Sequence, residues 1–152
     1  MKVKAWMPVL VLAAVGVVSA KVAGLPEKYQ GYLGWTRANV AKVTDAGAHP
    51  SAKDVYVNLT ADKLAGADGK YKAPFAAGTV FIKERMDPDT LSVTTLYVME
   101  KKSAREGDWE WSVFERDGNG FKGGVFANAA MCIGCHQEAK ASDLVFTQFG
   151  KR

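Results

Sequence analysis

Cys132-Ile133-Gly134-Cys135-His136 is the stretch of this chain best equipped for chemistry. Its two thiols stand about one helical turn apart, and an imidazole follows directly. That order suits covalent attachment of a haem, with the thiols joined to its vinyl groups and the imidazole beneath the iron. The chain has 2 cysteines in all, so no thiol is left over. Three other chemistries use these residue types. A thioredoxin-like redox pair would normally follow the first strand of an α/β fold, whereas this pair lies near the C-terminus. A structural zinc site needs one more ligand, and the other histidine is His49. A disulfide across two intervening residues would be strained and would leave His136 without a role. The expected cofactor is therefore one haem c per chain on Cys132 and Cys135, with His136 as the proximal metal ligand.

The function of such a haem depends on its other axial position. His49, Met86, Met99 and Met131 are the candidate sixth ligands. Met131 adjoins the motif and is poorly placed to cross the ring. Met86 and Met99 lie in or beside expected strands, where packing is their ordinary role. His49 precedes Pro50 in a polar loop and is expected to face solvent. An open iron site is therefore favoured. Within the segment 79–85, alternate side chains share a face, so Thr79, Phe81, Lys83 and Arg85 lie together. Phe81 and Phe75 can supply an apolar distal wall that admits small neutral gases. Lys83 reads either as an edge residue reaching for water or as a group at the haem rim. Arg85, Arg105 and Lys140 are candidates for the propionates, with surface charge as their default. Trp109 and Trp111 could meet the haem edge or a partner subunit, and are at least as well explained as sheet core.

These groups need elements to position them. The first twenty residues read as a secretory signal: Lys2 and Lys4, an apolar run from Trp6 to Val18, then Val18-Ser19-Ala20. Cleavage there leaves residues 21–152 as one haem-binding domain in the periplasm of a Gram-negative bacterium. Losing the two signal lysines lowers the formal charge of +4 to about +2, and no basic stripe or reader motif points to nucleic acid. No later segment is apolar enough for stable membrane insertion. Leu25 to Tyr29 can open a helix with Pro26 in its first turn, and residues 61–72 can hold a short helix. Strands are expected over 54–59, 79–85, 91–101 and 108–115, with turns at Asp87-Pro88-Asp89 and 116–120. Asn128 can cap a helix from Ala129 to about Ser142 that carries the haem motif. The expected class is α+β: a predominantly antiparallel sheet with peripheral helices and a C-terminal haem-bearing helix.

The chain resembles the cytochrome P460 and cytochrome c'-beta family. The likeness rests on Cys132 to His136, Ala139-Lys140 and Asp143-Leu144-Val145-Phe146-Thr147. It extends to Gly78-Thr79-Val80-Phe81-Ile82-Lys83-Glu84, Asp108-Trp109 and Leu25-Pro26-Glu27-Lys28-Tyr29. The resemblance implies an antiparallel sheet, a homodimer and five-coordinate haem with His136 proximal. P460 members oxidise hydroxylamine and carry a lysine bonded to the porphyrin; Lys83 falls at that position. They also use a pocket carboxylate for proton transfer, and here that position falls on Leu96 or its neighbour, with Glu100 out of register. The c'-beta members lack the crosslink and bind nitric oxide and carbon monoxide under a phenylalanine, a part Phe81 can fill. The lysine favours the first group; the missing carboxylate and Phe81 favour the second. The expectation is thus a periplasmic gas-binding cytochrome with Phe81, Phe75 and Leu96 in its distal pocket. Its alternative is a hydroxylamine oxidoreductase with Lys83 joined to haem, serving a redox partner protein. A Met- or His-ligated electron carrier and a peroxidase are weaker readings.

Overall fold

The computed structural model describes residues 21–42, 49 and 51–150; the expected signal segment lies outside them. Its centre is a six-stranded sheet in the order β1-β2-β3-β4-β5-β6, with every neighbouring pair antiparallel. The strands are β1 Thr36–Arg37, β2 Lys53–Val57, β3 Val80–Met86, β4 Val93–Lys101, β5 Trp109–Asp117 and β6 Gly120–Val125. A short helix α1 spans Ala61–Leu64, and α2 spans Ala129–His136. The fold is the expected α+β class: an antiparallel sheet with helical segments at its margins and the Cys/His motif on a C-terminal helix.

Four of the strands lie where alternation of apolar residues places them, and the differences have local causes. β4 begins at Val93 rather than Leu91, because Leu91 holds a left-handed φ of 56° in the turn. Asp87 builds that turn by accepting the N–H groups of Asp89 and Thr90. β6 was not expected, since Gly120, Gly123 and Gly124 suggest a turn. At Gly123 a glycine is needed for close approach: a Cβ would stand 2.0 Å from the Val113 carbonyl oxygen. The helical segment expected to run to Ser142 is α-helical to His136 and 3-10 over Gln137–Ser142. The lead-in helix is a 3-10 turn, Glu27–Tyr29, with Pro26 at its cap.

Both faces of the sheet are covered, by different parts of the chain. On the back, Ile82, Leu96, Val98, Phe114 and Phe121 pack against Leu25, Tyr29 and Tyr32 of the N-terminal segment. On the front, Val57, Phe81, Met99, Trp109 and Trp111 pack against Phe75, Leu144 and Val145. The side-chain period of two sorts each strand between these clusters. The register Val55–Lys83–Tyr97–Val113 forms one front-face row, and Val57–Phe81–Met99–Trp111 forms the next. No described helix is long and apolar enough to cross a membrane.

Candidate functional site

A cleft lies on the front face, between the sheet and the segment that follows β6. The sheet contributes Val55, Phe81, Lys83, Tyr97, Met99 and Trp111 from the two rows above. Cys132 and His136 come from α2, and Val145, Phe146 and Thr147 from the chain just beyond it. His49 enters from the loop before β2. The walls are chiefly apolar, with a few polar groups at fixed places, as in a typical cofactor pocket.

His136 is held on several sides. Its Nδ1 lies 2.7 Å from the carbonyl oxygen of Leu144. A carbonyl only accepts, so Nδ1 carries the proton, and Nε2 of the neutral ring keeps its lone pair. Its ring meets Trp111 at 4.7 Å and Phe146 at 5.1 Å, both edge-on. Burial holds its pKa below the usual histidine value; the Leu144 bond opposes that shift and the Lys83 charge adds to it. The neutral, tautomer-fixed ring that results is the form a metal binds, and a hydrogen-bonded outer partner is the usual companion of such a ligand. Cys132 is half-buried, and burial raises its thiol pKa. Cys135, one turn on, is exposed.

Lys83 lies in the same cavity, its Nζ 5.9 Å from the centre of the Tyr97 ring across the β3–β4 pair. His49, expected to face solvent, instead packs against Tyr97, the two ring centres 4.2 Å apart. Burial, followed by the charges of Lys83, His136, Lys53 and Arg85, pushes its pKa down to about 4. At neutral pH it is an uncharged imidazole and a weak base. Sequence reasoning missed both Tyr97 and the inward course of His49. The register with Lys83 could have found Tyr97, whereas only tertiary structure could bring in His49.

The remaining expected residues divide. Phe81 lines the cavity. Phe75 does not; it backs Phe81 at 5.1 Å and Trp109 at 5.9 Å. Leu96, expected in the distal pocket, lies on the opposite face, fully buried between Glu84 and Phe114 in register. A strand reverses its side chains at each residue, so the pocket receives its neighbour Tyr97 instead. Glu100 is also on the back, bonded by Tyr29 and Lys28. Arg85 is on the front, paired in register with Lys53, beyond the cavity lining. Met99 is both core and cavity wall. Met131 is exposed, while Met86 is buried beside Lys42. Arg105 and Lys140 are exposed and pair with Asp108 and Glu106.

These features fit a haem. Cys132 and His136 share one cavity, and the basic side chains Lys53, Lys83 and Arg85 gather on the same face near His49. Trp111 Nε1, in a residue lining the cavity, is buried without a hydrogen-bond partner among the described residues. Such an orphan donor suits a site completed by a bound group. Compared with known proteins, residues 29–147 match the family model described as Cytochrome P460. No curated protein matches the chain.

Proposed function

The chain belongs to the cytochrome P460 family, and from that premise we propose that it is an exported mono-haem c protein that oxidises hydroxylamine. In this reading haem c is attached through Cys132 and Cys135, with His136 on the iron and Lys83 bonded to the porphyrin. The observation that carries it is the position of Lys83, inside the cavity that also receives Cys132 and His136. The bound haem would supply the iron centre that holds hydroxylamine and passes on its electrons.

The chain's own residues account for the rest of the reaction. Oxidation of hydroxylamine to nitrous oxide and water releases protons and electrons in equal number. The position assigned to a carboxylate falls on Leu96, behind the sheet, but a proton acceptor need not be a carboxylate. His49 is uncharged at neutral pH and lines the cavity, so its free nitrogen can accept a hydrogen bond from a substrate N–H or O–H group; as a weak base it takes the proton only as the substrate is oxidised and grows more acidic. Tyr97 packs against the His49 ring at a tilt of 59°. Phe81, Met99 and Val145 restrict water around the substrate. Electrons leave to a redox partner protein. The proposal includes periplasmic location, after removal of residues 1–20, and assembly as a homodimer.

A second reading, reversible binding of nitric oxide and carbon monoxide, is favoured by Phe81, whose ring lies in the cavity wall. The optical spectrum of the dithionite-reduced, natively matured protein separates the two. A strongly red-shifted Soret band, lost in Lys83→Arg, is the result expected for the crosslinked oxidase. A Soret band in the ordinary haem c position would leave Lys83 unbonded and make gas binding the better account.

A further inference from the structure

Asp143 lies between the 3-10 segment and the chain that returns over the cavity, and it is bonded from four separate places. Lys101 Nζ donates to Oδ1 at 2.7 Å and Oδ2 at 2.5 Å, with both side chains fully buried. The backbone N–H groups of Phe75 and Gly107 donate to Oδ2 at 2.9 Å and Oδ1 at 2.7 Å. Trp109 Nε1 donates to the Asp143 carbonyl at 2.9 Å. Lys101 completes its own set by donating to the Arg105 carbonyl at 2.8 Å.

This concentration of bonds falls where the backbone is least comfortable. Asp143 and Leu144 are consecutive non-glycine residues at φ 52° and 69°. Such left-handed residues persist where their surroundings over-determine them. The carbonyl that follows this double turn is the one that accepts the His136 proton. Stability alone is a weak reason for a buried ion pair, since an apolar pair of similar volume often serves as well. An apolar pair could not hold the Leu144 carbonyl at a fixed angle to an imidazole.

We propose that Lys101 and Asp143 are positioning residues for the proximal ligand, aiming the Leu144 carbonyl at His136 and thereby setting how strongly the imidazole donates to the iron. The inference rests on the haem reading above. An accepting carbonyl on Nδ1 raises the basicity of Nε2. Weakening the strap therefore weakens the iron–imidazole bond and favours the reduced state.

The test uses the natively matured haem protein. Asp143→Asn, Lys101→Met and Trp109→Phe are compared with Tyr29→Phe, which removes a hydrogen bond on the back of the sheet. Two readouts are taken: the iron–histidine stretching band by resonance Raman and the reduction potential. The strap variants are expected to lower the stretching frequency and raise the potential; Tyr29→Phe is expected to move neither. If the ion-pair variants fail to mature, Trp109→Phe decides, because it removes the bond to the Asp143 carbonyl and keeps an aromatic ring beneath Lys101. Strap variants that lose thermal stability while band and potential stay at wild-type values would overturn the inference and leave the haem reading intact. A wild-type protein that matures without a haem spectrum would overturn the haem reading itself.

Discussion

The two faces of the sheet differ in the buried polar groups they leave without a partner. On the back, Glu84 accepts the Tyr32 hydroxyl at 2.8 Å, and Glu100 accepts that of Tyr29 at the same distance. The N-terminal segment brings both tyrosines, so this core is closed by the chain itself. On the front, Trp111 Nε1, Tyr71 Oη and Thr79 Oγ1 are buried without partners among the described residues. There the covering segment stands off from the sheet and leaves a cavity. A buried donor left without an acceptor costs about 1–3 kcal/mol. The back face is thus optimised for folding, while the front face trades some of that for a place to bind.

The largest expected effect separates the faces outright. Cys132→Ala or His136→Ala should abolish normal covalent haem, seen as loss of the wild-type haem stain and Soret band. The back-face packing should survive, reported by retained fluorescence burial of Tyr29 and Tyr32. Collapse of both together would mean that the back core depends on the site.

A smaller effect sharpens the boundary between adjacent positions. Leu96→Ala empties a fully buried back-face position and should cost about 4 kcal/mol by denaturant titration. It should leave the Soret position unchanged. Met99→Ala, in the cavity wall, should cost about 2 kcal/mol and should alter the binding of hydroxylamine or carbon monoxide. A Soret shift in Leu96→Ala would break the division between the faces.

That pair also marks what the sequence could and could not disclose. The Cys/His motif is local, so five consecutive residues carried it. The strands were visible because apolar alternation is local too. The face of a given residue is a matter of parity: an alignment uncertain by one position exchanges Leu96 for Tyr97 and moves the site to the wrong side. Strand β6 was hidden because Gly123 answers to the Val113 carbonyl on the neighbouring strand and Gly120 to the Ala23 carbonyl, contacts that only the folded chain creates. His49 was hidden for the same reason, since nothing in its sequence neighbourhood reveals that its ring meets that of Tyr97. The Asp143 hub draws donors from residues 75, 101, 107 and 109. No periodicity in the sequence announces such a convergence.

A third prediction concerns how the back face satisfies its charges. Tyr32→Phe leaves the Glu84 carboxylate buried without its donor and should cost about 2 kcal/mol. Lys28→Met removes a partly exposed partner of Glu100, which keeps Tyr29. It should cost about 0.5 kcal/mol. Equal costs by urea titration would mean that burial does not set the value of these bonds.

The smallest effect is a change of slope with pH. Burial raises the pKa of Glu84, the Tyr32 bond opposes that, and the neighbouring charge of Asp54 adds to it. A raised folded-state pKa gives stability that is fully present below the unfolded value of about 4.5 and is lost as pH rises through the folded value. For Asp54, burial acts upward, but the Lys42 and Asn39 bonds and the Arg37 charge prevail and lower the pKa. Its contribution is therefore lost only as pH falls, below its ordinary 3.8. The two windows do not overlap. In Glu84→Gln the amide oxygen still accepts from Tyr32, and the group no longer titrates. Its stability relative to wild type should therefore rise as pH is raised from about 4.5 towards neutrality. Below that range the two proteins should run parallel, both governed by the carboxylates with lowered pKa, Asp54 and Glu100 among them. Urea titrations at a series of pH values measure this directly. Curves that stay parallel through neutrality would show that Glu84 carries no penalty for its charge, and that the back face is closed electrostatically as well as sterically.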